Sequence, residues 1–331
     1  MTERLSSSAE LAHPAAAFKS VRSWLARYGM VVVLPILLGL GGVMSPAFLS
    51  ADNFSNLLLQ FAPLAIVAMG QSFVMIVRGL DLSVASMMAT TAVISTSFSG
   101  TDRDIANIFA ASFIVAVAVG LLNGFLVTKR QVSPFLATLA TMILLQGFRF
   151  AYTQGAPSGN VPPLLRVLGS AKIGGIPYNS LVLLIVAVAL AIVLHRSAFG
   201  RRIFIVGGSP VTGRLFGIRS DLVMVACYVI SSCLAALAGL ILSGYVGLVD
   251  NWVGQGYELD SIVACVVGRV SLKGGRGSIL GALTGAAVLV VIANEVLLLG
   301  VPIQVQLIIK GAVIVIAAAL YARREASSGY T

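Results

Sequence analysis

The 331-residue chain is 58% hydrophobic and only 10% charged, and its mean hydropathy is +0.99. A soluble protein of this size carries roughly 25% charged residues because its surface faces water, so this composition excludes a soluble domain and indicates an integral membrane protein. The net charge of +10 does not indicate nucleic-acid binding, since the basic residues are scattered through short loops between apolar stretches. The three cysteines lie in apolar runs and there are two histidines, so neither a disulfide framework nor a metal site is expected.

Residues 1–29 are polar and are predicted to form a cytoplasmic tail that leads into an uncleaved first helix. A spanning helix needs about 20 mostly apolar residues. On this basis residues 30–321 are predicted to form an all-α, polytopic membrane domain. Its transmembrane helices, about ten in number, are expected near 30–48, 58–77, 83–99, 105–127, 134–152, 179–195, 221–245, 259–270, 278–299 and 302–321.

The positive charges predict the orientation of this bundle. With the N-terminus inside, most of the 22 Lys and Arg residues fall on the cytoplasmic side, and Arg103, Arg149, Arg166 and Lys172 fall outside. Because cytoplasmic loops of membrane proteins are enriched in Lys and Arg, both termini, including the tail 322–331, are predicted to be cytoplasmic. The expected location is a bacterial inner membrane.

Two connections are longer than a tight turn: 153–178 is the largest predicted external segment and 196–220 the largest internal one. No lysine of the chain follows a glycine, so the sequence has no phosphate-binding P-loop. The chain is therefore not expected to hydrolyse ATP or to hold a cofactor itself.

The internal segment 196–220 contains a predicted helix start. Gly207 and Gly208 indicate a turn, Ser209 is a suitable N-cap, and Pro210 fits the first helical position. The apolar residues of the following short helix share one stripe, which consists of Val211, Leu215 and Ile218. The helix is expected either to lie on anionic lipid or to dock into a groove of a partner protein.

Four segments, in order, resemble permeases of ABC transporters of the ribose/xylose/galactofuranose type. The internal segment resembles the family's coupling loop through Phe199–Arg202, Val206–Pro210 and Arg214–Ile218, with Ser209 where the usual pattern has Asn. The other segments are Gly79–Val84; Val132–Phe135 with Thr138–Leu139 and Thr141–Met142; and Glu258–Ile262 running into Ser271–Ser278. The resemblance covers roughly residues 60–320.

The resemblance implies that the coupling loop docks an ATP-hydrolysing subunit, which would hold ATP and Mg. The residues it implies for this contact are Gly207, Gly208, Ser209, Pro210, Arg214, Leu215, Gly217 and Ile218. It also implies a second permease copy or a paralogue, and a periplasmic sugar-binding protein that delivers its cargo at 153–178 and 246–258. The chain departs from the family's pattern at Arg78, Ala85 and Arg269, and the two bulky cations are expected to alter closure of the inner gate.

Two carboxylates lie at predicted helix starts, Asp81 on the inner side and Asp260 on the outer side. At a helix N-terminus, a carboxylate accepts hydrogen bonds from backbone N–H groups that have no partner within the helix. Buried ionisable residues in membranes also often have functional roles. Arg78 is placed to neutralise Asp81. Leu80–Ala85 aligns without gaps to Leu259–Ala264, which predicts an inverted repeat.

Polar residues within the spans are expected either to stabilise helix packing or to line a sugar pathway. Asn123, Thr138, Thr141, Gln146 and Asn294 have this position, and Glu295 and Lys310 are placed to form an ion pair. The pathway and gating candidates are Asp81, Ser83, Asn123, Thr138, Thr141, Asp260, Gly274 and Gly275.

The leading hypothesis is thus a non-enzymatic permease subunit of an ATP-driven sugar importer that works by alternating access. An ion-coupled secondary transporter of a small polar solute is disfavoured, because the acidic candidates lie at helix ends apart from Glu295. An intramembrane aspartyl protease would need Asp81 and Asp260 in contact, and they are predicted at opposite depths. A non-transporting membrane scaffold is a further alternative.

Overall fold

The computed structural model describes residues 33–302 together with 304, 305, 307, 308, 311, 312 and 315. Helices make up most of this part of the chain. In order they are α1 (Val33–Met44), α2 (Ala51–Ile76), α3 (Ser83–Thr96), α4 (Ile105–Thr128), α5 (Pro134–Thr153), α6 (Pro163–Ser170), α7 (Tyr178–Arg196), α8 (Ala198–Gly208), α9 (Pro210–Leu215), α10 (Ser220–Val246), α11 (Tyr257–Val267) and α12 (Ile279–Leu298). Short 3-10 turns lie at Pro46–Leu49 and Asp102–Asp104, and β1 (Lys172–Ile173) pairs antiparallel with β2 (Ile176–Pro177).

Six helices, α2, α4, α5, α7, α10 and α12, are long and apolar enough to cross a membrane, and α1 and α3 are shorter apolar helices. The predicted all-α, polytopic class is therefore confirmed. The count of ten stays a prediction. The tails 1–29 and 322–331 and most of the predicted span 302–321 lie outside the described residues.

The bundle is built around α2 and α10, whose apolar residues are mostly buried. α4, α5 and α7 lie outside them and are mostly exposed, and their exposed residues are large and apolar, as at Ile114, Phe148 and Ile185. An apolar outer surface of this extent is stable only against lipid. The core of the molecule is therefore the contact of α2 and α10 with the helices around them.

Small residues allow α4 and α10 to approach closely. A Cβ added at Gly120 would lie 2.5 Å from the Cα of Val229, and one at Gly124 would lie 2.8 Å from the Cα of Val225. In lipid, where apolar burial gives no driving force, helix association depends on such close contact. These two glycines therefore set the distance between α4 and α10.

α10 separates the two long connections. Its 27 residues span about 40 Å. At its start, which we call the α9 end of the molecule, the Ser220 hydroxyl donates to the Pro210 carbonyl at 3.0 Å. At its other end, the α6 end, Gly244 packs against the Leu165 carbonyl. The segments 196–220 and 153–178 thus lie at opposite ends, as their predicted positions on opposite sides of a membrane require.

We expect Gly120→Ala to destabilise the protein by about 1–3 kcal/mol, because the added methyl would force α4 away from α10. Gly147→Ala is the matched control, since Gly147 also lies within a membrane helix but has open space around its Cα. The measurement is the midpoint of thermal unfolding in detergent, followed by size-exclusion chromatography of a fluorescent fusion. Equal midpoints for the two variants would contradict this account of the α4–α10 contact.

Candidate functional site

The chain is unwound between α2 and α3, and Asp81 lies in this stretch. α2 ends in a Schellman motif, in which Gly79 N–H donates to Val74 O at 2.8 Å and Arg78 N–H donates to Met75 O at 2.9 Å. This motif needs a left-handed residue, a role usually taken by glycine, and here Arg78 takes it at φ +66°. The reversal directs the following residues back into the bundle, where Asp81 is fully buried.

The Asp81 carboxylate is fully hydrogen-bonded. Its Oδ1 accepts from Ser83 N–H at 3.0 Å and from the Ser83 hydroxyl at 2.5 Å, and its Oδ2 accepts from the Ser231 hydroxyl at 2.9 Å. The Gln71 amide, oriented so that both of its atoms are satisfied, bonds the backbone C=O and N–H of Asp81 at 3.1 and 3.2 Å. The sequence predicted that Asp81 accepts a hydrogen bond from a backbone N–H at a helix start, and Ser83 N–H at the start of α3 donates such a bond.

The polar network continues through three more predicted candidates. The Asn123 amide donates to the Ser83 hydroxyl at 2.9 Å, and the Thr141 hydroxyl donates to Asn123 Oδ1 at 2.7 Å. The Thr138 hydroxyl lies beside them, 3.3 Å from the Leu80 carbonyl. Together with Gln71 and Ser231, these residues join α2, α3, α4, α5 and α10. Because their side chains are buried, the network holds helices together in this conformation, and a role in the pathway stays a prediction.

A second cluster lies at the α9 end, where α2, α8 and the α11–α12 connection meet. Arg78 Nε donates to Gly207 O at 2.7 Å, and its Nη2 donates to Gly208 O. The prediction that Arg78 neutralises Asp81 is therefore wrong: the left-handed turn directs the guanidinium to the end of α8, and the carboxylate bonds to serines instead. We call Arg78, Gly207–Gly208 and Gly274–Gly275 the glycine junction.

The backbones of the glycine junction approach too closely for side chains. A Cβ at Gly207 would lie 1.9 Å from Ile76 O and 2.7 Å from Gly275 N, and Gly275 N–H donates to Ile76 O at 2.8 Å. Gly274, at φ +81°, packs on the Arg78 side chain. The gating candidates Gly274 and Gly275 are thus in contact with the predicted coupling residue Gly207.

From this junction, α9 projects outward. Ser209 caps it by accepting from Thr212 N–H at 3.1 Å, and Pro210 is its first residue, so the predicted helix start is confirmed. α9 ends at Leu215. Val211, Leu215 and Phe216 are largely exposed, whereas Ile218, predicted on the same stripe, follows a left-handed Gly217 and packs against the core. The preceding helix α8 is not predicted from the sequence.

The remaining candidates lie outside both clusters. Asp260 lies in the first turn of α11. Asn294 exchanges amide hydrogen bonds of 3.0 and 2.9 Å with Asn53, a role in helix packing. Lys310, the predicted partner of Glu295, lies outside the described residues. No group of three potential metal-binding residues occurs in the described part of the chain.

Sequence reasoning missed Gln71 and Ser231, which complete the Asp81 network. Their signal is a polar side chain within an otherwise apolar helix, the same signal that identified Asn123 and Thr141. Both were hidden among the many small and polar residues of these helices, and only packing brings Ser231, 150 positions further along the chain, to Asp81.

Comparisons with known proteins identify the family of the chain. The family model for the branched-chain amino acid transport system / permease component matches residues 53–318. A ribose import permease protein of Escherichia coli (strain K12) is 34% identical over 300 residues, covering 89% of this chain and 94% of the relative. The ribose import permease protein of Bacillus subtilis (strain 168) is 34% identical over 329 residues, covering 98% and 99%.

A galactose/methyl galactoside import permease protein of Haemophilus influenzae is 32% identical over 316 residues, covering 88% of this chain and 94% of the relative. No solved structure matches the chain significantly. The resemblance to ABC-transporter sugar permeases that the motifs predict is confirmed, and the chain belongs to the branched-chain amino acid transport system / permease component family.

Proposed function

We propose that the chain is the membrane-spanning subunit of an ATP-driven importer, and that it carries a monosaccharide across a bacterial inner membrane by alternating access. The observation that carries this proposal is α9, a capped helix with an exposed apolar face that is mounted on the tightly packed glycine junction. The ribose and galactose permeases named above support a sugar as the cargo.

The proposal assigns the energy source and the cargo delivery to other chains. A separate ATPase, which holds ATP and Mg, docks on Gly207–Ile218. A periplasmic sugar-binding protein docks at the α6 end, on the segments 153–178 and 246–258, and a second permease copy or a paralogue completes the transporter. Both termini lie in the cytoplasm, and the chain crosses the membrane about ten times.

The contacts at the α9 end give a physical route for coupling. A displacement of α9 acts on the end of α8. This end contacts the end of α2 directly, because Arg78 donates to Gly207 O and the Gly207 backbone packs on Ile76 O. Only Gly79 and Leu80 separate Arg78 from Asp81, whose network joins five helices. Closure of the ATPase would thus favour one arrangement of these helices over another, which is the energetic requirement for directed transport.

We expect Leu215→Glu to abolish co-purification with the ATPase while leaving membrane insertion intact, because it places a charge on the exposed apolar face of α9. Leu248→Glu is the matched control: the two leucines are 82% and 81% exposed, but Leu248 lies at the α6 end. The measurement is the amount of ATPase retained by the affinity-tagged permease. Equal retention by the two variants would contradict docking on α9.

We expect Arg78→Gly to change thermal stability by no more than about 1 kcal/mol, because the relief of left-handed backbone strain at φ +66° offsets most of the cost of the lost guanidinium bonds. Loss of the guanidinium contacts with Gly207 and Gly208 should lower ATP-driven sugar uptake in proteoliposomes several-fold, with ATP hydrolysis retained.

The control is Arg130→Ala, which removes a positive charge from an exposed arginine outside the glycine junction. Wild-type uptake by Arg78→Gly would show that the junction does not transmit the motion. Uptake by the wild type without ATP, driven by an ion gradient, would favour the secondary transporter.

A further inference from the structure

A cavity of about 120 Å³ lies between α3, α5 and the segment 247–256, and its wall contains no residue of either cluster described above. The segment follows the end of α10 but folds back along α3, where a Cβ at Gly254 would approach the Met88 side chain at 3.0 Å. Ser86, in the cavity wall, is ten residues from Thr96 and therefore about 15 Å inward from the α6 end of α3. The cavity thus reaches into the membrane-spanning part of the bundle.

Arg149 forms part of the cavity wall and is only 6% exposed. Its guanidinium donates to Ser86 O at 3.2 Å and to Asn251 O at 3.0 Å, and it lies 3.4 Å from the Thr90 hydroxyl. No carboxylate forms an ion pair with it within the described residues. A buried cation held only by neutral groups is unusual within a membrane, and such residues commonly mark substrate pathways.

Two polar atoms in this wall lack a protein partner within the described residues, namely Arg149 Nε and Asn251 Oδ1. Asn251 is 2% exposed, and its amide nitrogen is already bonded to the Thr153 hydroxyl and to Gly155 O. One unused donor therefore lies in the same wall as one unused acceptor. A hydroxyl group both donates and accepts hydrogen bonds, so a small shift of these side chains into the cavity would satisfy both atoms with a hydroxylated ligand.

The rest of the wall fits a sugar of no net charge. Trp252 is 51% exposed and rests edge-on against Phe150, with ring centroids 5.5 Å apart, so the indole offers a fixed apolar surface to the C–H groups of a sugar ring. Gln146 and Gln255 add amides, and the wall contains one carboxyl side chain, Glu258, which accepts from Gly256 N–H at 2.9 Å, so that its formal charges sum to zero. We propose that this cavity is a transient binding site for a neutral monosaccharide on its way through the permease, an inference that rests on the proposed function.

Trp252 provides a direct test of binding. The sequence contains only one other tryptophan, Trp24, so a Trp24→Phe variant of the full chain in lipid nanodiscs makes Trp252 the sole indole reporter. Titration with ribose, galactose or xylose should change its fluorescence saturably for at least one of them, and ribose 5-phosphate and galacturonate should not. No saturable change with any neutral sugar, or a change with only the charged sugars, would overturn the proposal.

Uptake measurements separate this site from the function as a whole. In proteoliposomes that contain the ATPase and the binding protein, Gln146→Leu and Arg149→Lys should each raise the half-saturating sugar concentration about tenfold, the effect of one lost hydrogen bond. Gln60→Leu is the control, since Gln60 is half-buried in α2 outside the cavity wall.

Unchanged half-saturation in both cavity variants would refute the site and leave the importer intact. Absence of ATP-dependent sugar uptake by the wild type would refute the importer, and the Trp252 titration would still decide whether the cavity binds a sugar.

Discussion

The buried carboxylate of Asp81 is the constraint on which the arrangement of the helices depends. A carboxylate removed from water must find hydrogen-bond donors inside the protein. Asp81 finds them in Ser83 at the start of α3 and in Ser231 in the middle of α10. Since Ser83 also accepts from Asn123 of α4, one side chain fixes the relative positions of three helices. The unwound stretch between α2 and α3 places this group inside the bundle.

The same stretch joins the interior of the bundle to the α9 end, where the ATPase is proposed to dock. Arg78 and Asp81 are separated by two residues, yet one binds the carbonyls at the end of α8 and the other binds side chains of the core. The close approach of Gly207 to Ile76 leaves little room for independent motion at this point. The glycine junction and the Asp81 network are therefore connected by two residues of backbone, with α9 on the outer side of the junction and the membrane helices around the network.

The sequence predicted those features whose cause is local. Ser209 and Pro210 define a helix start by their own chemistry, and the apolar stretches define the long helices by length alone. Polar residues within these stretches identified Asn123 and Thr141 as candidates, which the structure places in one buried network, although the sequence did not predict them as partners of each other.

The sequence did not predict features that arise from packing. The contact of Arg78 with α8 depends on the direction in which a left-handed turn points its side chain, and the cavity near Arg149 depends on a segment that folds back along α3. Residues that contact each other in the cavity wall and in the Asp81 network lie far apart along the chain. Ser86 donates to Met142 O across 56 positions and Ser231 donates to Asp81 across 150, and no periodicity in the sequence predicts such pairs.

The length of α10 gives it the properties of a lever. Ser220 at one end bonds to the first residue of α9, and Gly244 near the other end packs against α6. If the helix tilts as a rigid rod about its first turn, a rotation of about 5° carries its far end sideways by about 3.5 Å, since the rod is about 40 Å long. A shift of that size is comparable to the width of a water molecule. In such a tilt, a small rotation at the α9 end would become a larger displacement at the α6 end.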